Sequence, residues 1–202
     1  MPEGQFVYIQ NPKAHGADKY HGAVAEGYDA KREDSPKWKA EQRIIEDMLG
    51  DLPAETKVLD VPIGTGRFIE FYREKGFKVL GVDRSDDMLR VASDKVGDAQ
   101  NITLLTGDIL KLNMLGDKSF DVALMVRLTR WLSPEDCTKA IHELARVTRK
   151  RIVFTTRLRH ATHPELARRV TRSLTLMPTW RLRGFGAVAK NQDPPASISH
   201  RE

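Results

Sequence analysis

The sequence lacks the features that mark secreted or membrane-spanning proteins. Its 202 residues include one cysteine, Cys137, so no internal disulfide can form. The longest uninterrupted apolar run covers residues 122–126, far short of the roughly 20 residues that a transmembrane helix needs. The first residues hold no basic segment followed by an apolar stretch, so we expect no signal peptide and a cytoplasmic location.

Length and composition are typical of one globular domain with short appended segments. Apolar residues make up 40% of the chain and charged residues 30%, which excludes a fibrous protein and a wholly disordered one. Residues 1–34 show no helical or strand periodicity. We therefore expect an N-terminal arm or lid over residues 1–34, a main domain over residues 35–190 and a flexible tail over residues 191–202.

Basic residues are concentrated towards the C-terminus. Residues 1–145 carry 20 Lys and Arg against 25 Asp and Glu, whereas residues 146–202 carry 13 against 3. An arginine-rich stretch such as residues 146–183 can bind RNA, an anionic or membrane surface, or a small anionic or lipid-like molecule. It can equally be a solvated face whose arginine stems cover the domain, so the charge alone leaves the partner open.

Helical and strand patterns alternate along the chain. Helices are predicted over residues 35–50, 67–75, 85–96, 133–148 and 164–174, and strands over residues 57–61, 77–82, 102–105, 120–126 and 151–156, with a further strand-like stretch over 180–189. On the first helix the expected buried face consists of Trp38, Ile44, Ile45, Met48 and Leu49. Short apolar strands joined by helices predict an α/β fold, a doubly wound parallel sheet with helices on both faces.

Two glycines follow the first predicted strand and open the next helix. Gly64 and Gly66 allow a tight turn, and the backbone N–H groups that begin the helix can face an anionic ligand. A dinucleotide-binding loop would have a third glycine at position 69, where Ile69 stands, and no acid at Asp60. The loop therefore predicts a nucleotide-like ligand other than a nicotinamide dinucleotide.

Acidic residues stand at the ends of three successive strands: Asp60, Asp83 and Asp108. The carboxyl ends of parallel strands meet at one edge of the sheet, where ligands bind. An acid at the end of the second strand suits a ribose diol, and one after the third can accept a hydrogen bond from an adenine amino group.

At these positions the sequence resembles the class I S-adenosylmethionine-dependent methyltransferases over roughly residues 28–156. The segment VLDVPIGTG at 58–66 is similar to the family's glycine-rich motif, VLGVD at 79–83 to its ribose-binding motif, and LTGDI at 105–109 to its adenine-contacting segment. SFDV at 119–122, with the following loop to Leu132, resembles the fourth strand and the active-site loop. The resemblance implies a mostly parallel, seven-stranded-type sheet whose last two strands are antiparallel.

The resemblance also implies roles for individual residues. Gly64 and Gly66 would make room for the methionine moiety, Asp60 would orient its ammonium group, and Asp83 would bind the ribose hydroxyls. Adenine would contact the side chain of Met88. The full set of implied contacts to S-adenosylmethionine is Asp60, Pro62, Gly64, Gly66, Asp83, Arg84, Met88, Asp108, Ile109, Val126 and Arg127.

Two features depart from the family pattern. Pro62 and Ile63 stand where the family commonly has glycine and a small residue. Ile63 either crowds the cofactor or faces the core, and we favour the core. The chain after the fifth strand offers at most one further strand, around 180–189, so the edge of the sheet is uncertain.

No residue stands out as a general base. His21 and Tyr28 lie in the expected lid and Arg127 follows the fourth strand, so these three are candidate catalytic residues. His160 and His163 lack the further ligands of a metal site, and methyl transfer from a sulfonium requires no metal. The Asn/Asp-Pro-Pro-aromatic loop of nucleobase amine methyltransferases is absent from residues 125–131.

The sequence therefore predicts a S-adenosylmethionine-dependent methyltransferase that acts by in-line displacement on a small-molecule acceptor. Two alternatives remain open. The basic C-terminal region would suit methylation of RNA or protein, and a non-catalytic binding subunit would tolerate Pro62 and Ile63. The acceptor, the methylated atom and the oligomeric state cannot be read from the sequence.

Overall fold

The computed structural model describes residues 20–156. The first 19 residues of the expected arm, the helix predicted over 164–174, the strand-like stretch over 180–189 and the tail over 191–202 lie outside the described residues. So does the part of the arginine-rich stretch that follows residue 156.

Five parallel strands form one sheet, as the sequence predicted. The strands are β1 (Lys57–Asp60), β2 (Lys78–Asp83), β3 (Ile102–Thr106), β4 (Phe120–Met125) and β5 (Thr148–Phe154), arranged in the order β3-β2-β1-β4-β5. The order reverses between β1 and β4, which are hydrogen-bonded neighbours with Leu59 opposite Ala123. A ligand site is therefore expected where β1 and β4 end.

Helices connect the strands. They are α1 (Ala23–Glu26), α2 (Pro36–Leu49), α3 (Ile69–Lys75), α4 (Asp86–Val96) and α5 (Pro134–Val147), with a short 3-10 helix at Thr129–Trp131. The side chains of Ser85 and Ser133 accept hydrogen bonds from the first turns of α4 and α5, as expected of helix caps. No helix among residues 20–156 is long and apolar enough to cross a membrane.

Successive residues of β1 point to opposite faces of the sheet and belong to separate core clusters. Val58 packs with residues of α2, α3 and α4, including Leu49 and Leu89, whereas Leu59 packs with α5 residues such as Leu144. Because a strand that is buried on both faces needs helices on both sides, this division confirms the doubly wound arrangement.

Several predicted boundaries differ from the structure, and the starts of α3 and β5 differ by two residues or more. Helix α3 begins at Ile69 rather than at residue 67, because the turn through Gly66 continues two residues further. Strand β5 begins at Thr148 rather than Arg151, directly after α5. A register shift between Phe120 and Val122 of β4 allows the early start of β5.

The buried face of α2 is narrower than expected. Trp38, Ile45 and Leu49 are buried, whereas Ile44 and Met48 are 48% and 40% exposed. Each of these two precedes a buried residue by one position, which turns it about 100° away around the helix.

Candidate active site

A cavity lies at the carboxyl ends of β1, β2, β3 and β4. Its wall is formed by Asp60–Thr65 after β1, by Asp83–Ser85 after β2, by Gly107–Leu110 after β3 and by Val126–Leu128 after β4. Aromatic residues also line the cavity: Tyr20, Tyr28, Trp38, Phe68 and Trp131. Arg67, Met88 and Leu132 complete its wall. The topology therefore brings together segments that are far apart in the chain.

The glycine loop needs glycine at two positions for different reasons. Gly64 has a φ of 59° and no neighbour within 4 Å of where a Cβ would stand, so its space opens towards the cavity. Gly66 has a φ of 74° and is not part of the cavity wall. A Cβ on Gly66 would lie 2.2 Å from the Ile69 Cδ1 atom, so Gly66 makes room for α3 rather than for the cofactor, contrary to the role that the resemblance implied.

Ile63 packs in the core, where Gly81 of β2 leaves room for its side chain. Its side chain is 5% exposed and belongs to the core cluster beneath the sheet. A Cβ on Gly81 of β2 would come within 2.3 Å of the Ile63 Cδ1 atom. The backbone N–H of Ile63 also donates to Val82 O over 2.9 Å, which ties the loop to β2. The neighbouring Val61–Pro62 peptide is cis, and Pro62 lines the cavity.

Asp83 is held in place by backbone amides. Its Oδ2 accepts from the N–H of Gly64 and its Oδ1 from the N–H of Ser85, each over 2.9 Å. Burial raises the pKa of Asp83, and these amide hydrogen bonds oppose that rise. The backbone N–H of Arg84 also acts on this carboxylate, and since a carboxylate can accept about four hydrogen bonds, it retains capacity for a further donor. The fixed carboxylate therefore suits a ligand hydroxyl, such as one of a neighbouring pair.

Asp60 is bound to a buried tyrosine of α3. The Tyr72 hydroxyl donates to Asp60 Oδ2 over 2.8 Å, and both residues are buried. Burial raises the pKa of Asp60, the hydrogen bond from Tyr72 lowers it and the charge of Asp83 raises it, and together they place the pKa at about 7. A neighbouring cation, such as an ammonium group, would therefore stabilise the ionised form of the Asp60 carboxyl group.

Tyr72 was assigned no role from the sequence. A signal was nevertheless present. A tyrosine in a buried helix stripe needs a partner for its hydroxyl, and an acid at the end of a buried strand needs a donor.

The adenine-side residues lie on the same cavity. Asp108 is 3% exposed, and its Oδ1 accepts from the N–H of Leu110 over 3.0 Å. Ile109 and Met88 are each 4% exposed and line the wall beside it. Arg84, directly after β2, is also part of the wall. The geometry therefore gathers ten of the eleven predicted cofactor-binding residues around one cavity, all except Gly66.

Arg67 and Arg127 share one carboxylate at the aromatic end of the cavity. The Nη1 atoms of Arg67 and Arg127 lie 2.8 and 3.4 Å from Glu41 Oε2. The guanidinium carbon of Arg67 stacks 3.6 Å from the centre of the Trp38 ring. Burial lowers the pKa of Arg67, and the hydrogen bond that Arg67 donates to Glu41 counteracts this. Trp38, Glu41 and Arg67 were not predicted as site residues, because Trp38 lies on the expected core face of α2, Glu41 lies on another side of that helix, and Arg67 follows the glycine loop.

The three catalytic candidates occupy different environments. Tyr28 and Arg127 line the cavity. Burial raises the pKa of Tyr28, so its hydroxyl stays protonated at neutral pH and acts as a hydrogen-bond donor rather than a base. His21 is outside the cavity wall: its Nδ1 atom lies 3.2 Å from Asp87 Oδ2 in the first turn of α4, and its side chain is 55% exposed. That contact holds His21 at the surface beside α4.

The N-terminal segment is fastened to the domain beside the cavity. The Ser85 hydroxyl donates to Tyr20 O over 2.6 Å, and the Thr65 hydroxyl donates to Asp29 Oδ1 over 2.8 Å. Asp29 also forms an ion pair with Lys95 of α4 over 2.5 Å. Among residues 20–156, no group of three or more His, Cys, Asp or Glu side chains is arranged to hold a metal ion.

Comparison with known proteins agrees with this geometry. Fold and site together define a doubly wound α/β domain with a nucleotide-type cavity at its strand ends. Residues 58–151 match a family model described as a methyltransferase domain. This part of the chain, somewhat less than half of its length, is therefore similar to a methyltransferase domain.

Individual relatives are similar over part of their length. A demethylmenaquinone methyltransferase of Thermobifida fusca is 35% identical over 94 residues, 46% of this chain and 39% of the relative. A malonyl-[acyl-carrier protein] O-methyltransferase of Hamiltonella defensa is 37% identical over 102 residues, 50% of this chain and 37% of the relative. Each match therefore covers less than two fifths of the relative's own length. The crystal structure of the PH0226 protein from Pyrococcus horikoshii is 29% identical, with a TM-score of 0.52 over 60% of each chain.

Proposed function

We propose that this protein transfers a methyl group from S-adenosylmethionine to a small-molecule acceptor. The observation that carries the proposal is the convergence of Asp60, Gly64, Asp83 and Asp108 on one cavity that continues into an aromatic wall. The strand ends would bind the cofactor, and the aromatic wall would bind the acceptor next to it.

The residues fit S-adenosylmethionine by their chemistry. The amide-held carboxylate of Asp83 suits the ribose diol, the open space at Gly64 admits the amino-acid part, and Asp60 suits its ammonium group. Asp108 and the N–H groups beside it suit the edge of adenine. Bound S-adenosylmethionine supplies a methyl group activated by its sulfonium, which leaves by in-line displacement.

The protein's contribution to such a reaction is alignment, since holding the acceptor in line with the methyl group removes much of the entropic barrier. Tyr28, Trp38 and Trp131 form walls that restrict the acceptor's orientation. Tyr28 contacts Trp38 edge-on, with ring centres 6.1 Å apart. The arrangement supports positioning of the acceptor without a dedicated base.

A small-molecule acceptor is favoured over a polymer. The relatives reported above are named for demethylmenaquinone and malonyl-[acyl-carrier protein], of which the first is a small molecule. Tyr20 and Tyr28 of the fastened N-terminal segment line the cavity, so this segment encloses part of the site. Ile63 lies in the core, which removes one reason for a subunit that binds partners without turnover.

Binding of S-adenosylhomocysteine tests the cofactor site. Calorimetric titration should give micromolar affinity for the unaltered protein, about 8 kcal/mol of binding free energy. Asp83→Asn should weaken binding about tenfold or more, because one oxygen that accepts from the diol is lost. Asp94→Asn, the same change at an exposed position of α4, is the matched control and should bind as the unaltered protein does. Equal affinity in both variants would contradict the assigned ribose site.

Release of S-adenosylhomocysteine from S-adenosylmethionine tests the acceptor class. The protein is incubated with separate small-molecule, RNA and protein fractions of a cell extract. Release that depends on the small-molecule fraction supports the proposal. Release only with the RNA or the protein fraction would favour a polymer acceptor, and binding without release in any fraction would favour a non-catalytic subunit.

A further inference from the structure

At the aromatic end of the cavity, positively charged side chains outnumber negatively charged ones among residues 20–156. Two guanidinium groups, those of Arg67 and Arg127, face one carboxylate, that of Glu41, and both approach the same oxygen. Glu41 and Arg127 are also the charged side chains that act most strongly on Arg67. Asp60, Asp83 and Asp108 lie at the strand ends, on the proposed cofactor side of the cavity. The positive charge at the aromatic end therefore favours binding of an anionic ligand there.

The two arginines are not equivalent. Arg67 is 8% exposed and is fixed by Glu41, by Gln42 and by the backbone oxygen of Trp38. Arg127 is 27% exposed, lines the cavity, and reaches Glu41 only over 3.4 Å. A guanidinium has five N–H donors, and among the described residues Arg127 uses one of them. The remaining donors make Arg127 the residue able to bind a ligand.

The backbone at Arg127 is held in an unfavourable conformation. Its φ is 62°, in the left-handed region, which is unfavourable for a residue other than glycine. The N–H of Arg127 donates to Thr155 Oγ1 over 2.8 Å, a bond that fastens this turn to the end of β5. Such outliers persist where the surroundings impose them and are concentrated at ligand sites. The strain fixes the direction in which the Arg127 side chain leaves the loop.

Flat apolar surfaces surround this guanidinium. The guanidinium carbon of Arg127 lies 5.0 Å from the centre of the Trp38 ring, and Trp131 and Leu128 belong to the same part of the wall. Aromatic walls favour a planar ligand, and a fork of N–H donors favours a carboxylate, which it can bind through two parallel hydrogen bonds.

We infer that the acceptor is a planar, apolar molecule that bears a carboxylate, and that Arg127 binds this carboxylate. The inference rests on the proposed function, because it describes the acceptor half of the same cavity. Arg127 is thereby a specificity-determining residue: it selects an anionic acceptor and orients it against the aromatic wall.

Two matched probes test the inference. 2-Naphthoate and 2-naphthamide share ring and shape and differ in charge. Each is titrated calorimetrically into the protein, with and without S-adenosylhomocysteine. The unaltered protein should bind 2-naphthoate about tenfold more tightly or better, since pairing with a charged, partly buried guanidinium is lost in the amide.

Variants assign the preference to its residue. Arg127→Met should bind both probes equally, Arg127→Lys should keep part of the preference because the charge remains, and Arg43→Met, at an exposed position of α2, should keep all of it. No preference in the unaltered protein, binding of neither probe, or a preference that survives in Arg127→Met would overturn the inference. A naphthoate preference together with no binding of S-adenosylhomocysteine would instead contradict the proposed function and leave the anion site standing.

Discussion

The hydrogen bond between Tyr72 and Asp60 allows a stringent test of how the site is built. Tyr72→Phe removes the hydroxyl that donates to Asp60 Oδ2 and leaves the ring in its buried position. Burial raises the pKa of Asp60, the Tyr72 hydrogen bond opposes that rise, and the pKa lies at about 7, so Tyr72→Phe should raise it further. The variant should therefore destabilise the protein more at alkaline pH than at acidic pH.

The sign follows from the raised pKa. In the folded state Asp60 holds its proton up to about pH 7, whereas in the unfolded chain it releases it near pH 4. Its contribution to the free energy of unfolding is complete below about pH 4 and is lost as the pH rises to 7. In Tyr72→Phe this loss continues to higher pH.

The expected magnitudes differ between the two charge states. A neutral hydrogen bond contributes about 0.5–1.5 kcal/mol, and one to a charged group about 1.5–3 kcal/mol. Tyr72→Phe should therefore lower the free energy of unfolding by about 1 kcal/mol near pH 5, where Asp60 is protonated, and by about 2–3 kcal/mol near pH 8.5, where it is ionised.

Urea denaturation of both proteins at the two pH values measures this difference. Titrations elsewhere in the protein cancel between the variant and the parent. Asp60→Asn is the matched background: in it, the effect of Tyr72→Phe should no longer depend on pH. A destabilisation by Tyr72→Phe of equal size at both pH values in the parent would refute the assignment of Asp60 as the titrating partner.

Three further substitutions test other parts of the account. Gly81→Ala should lower the free energy of unfolding in urea by about 1–3 kcal/mol, because its Cβ meets the Ile63 side chain, and Ile63→Ala should recover part of that loss if the contact is the cause. Gly64→Ala should lower the free energy of unfolding by about 1 kcal/mol, because the φ of this residue is positive. Since the added methyl group enters the cavity, calorimetry should also show about tenfold weaker binding of S-adenosylhomocysteine. Unchanged affinity would place the ligand elsewhere. Arg146→Met removes hydrogen bonds to Glu143 and to two backbone carbonyls between β3 and β4. It should therefore lower the thermal midpoint, with a loss of about 1–3 kcal/mol in the free energy of unfolding, and leave the affinity for S-adenosylhomocysteine unchanged. A loss of affinity would show that this distant cluster shapes the cavity.

The strand ends of the site could be predicted from the sequence because the information is local. Asp60 and Asp83 each end a short apolar run, and the topology of a parallel sheet brings all such ends to one edge. The same reasoning covers Asp108, which follows β3 by two residues. Fold class and the order of elements followed from the alternation of strand and helix patterns.

The aromatic end of the cavity could not be predicted, because its contacts join distant parts of the chain. Glu41 and Arg127 are 86 residues apart, and Glu41 and Arg67 are 26 apart. Their meeting depends on how α2 packs across the glycine loop, which no periodicity specifies. The sequence motif identified Gly66 as a required glycine but not the reason for it. The structure shows that the Ile69 side chain occupies the space that a Cβ on Gly66 would need.

A crystal structure of the protein with S-adenosylhomocysteine tests the central claim most directly. The account predicts that the ligand occupies the cavity at the ends of β1 to β4, with its ribose hydroxyls on Asp83, its adenine beside Asp108 and Met88, and its sulfur facing the wall that contains Arg127. Ligand bound at another place, or an empty cavity at saturating concentration, would contradict the assignment of the strand ends as the cofactor site.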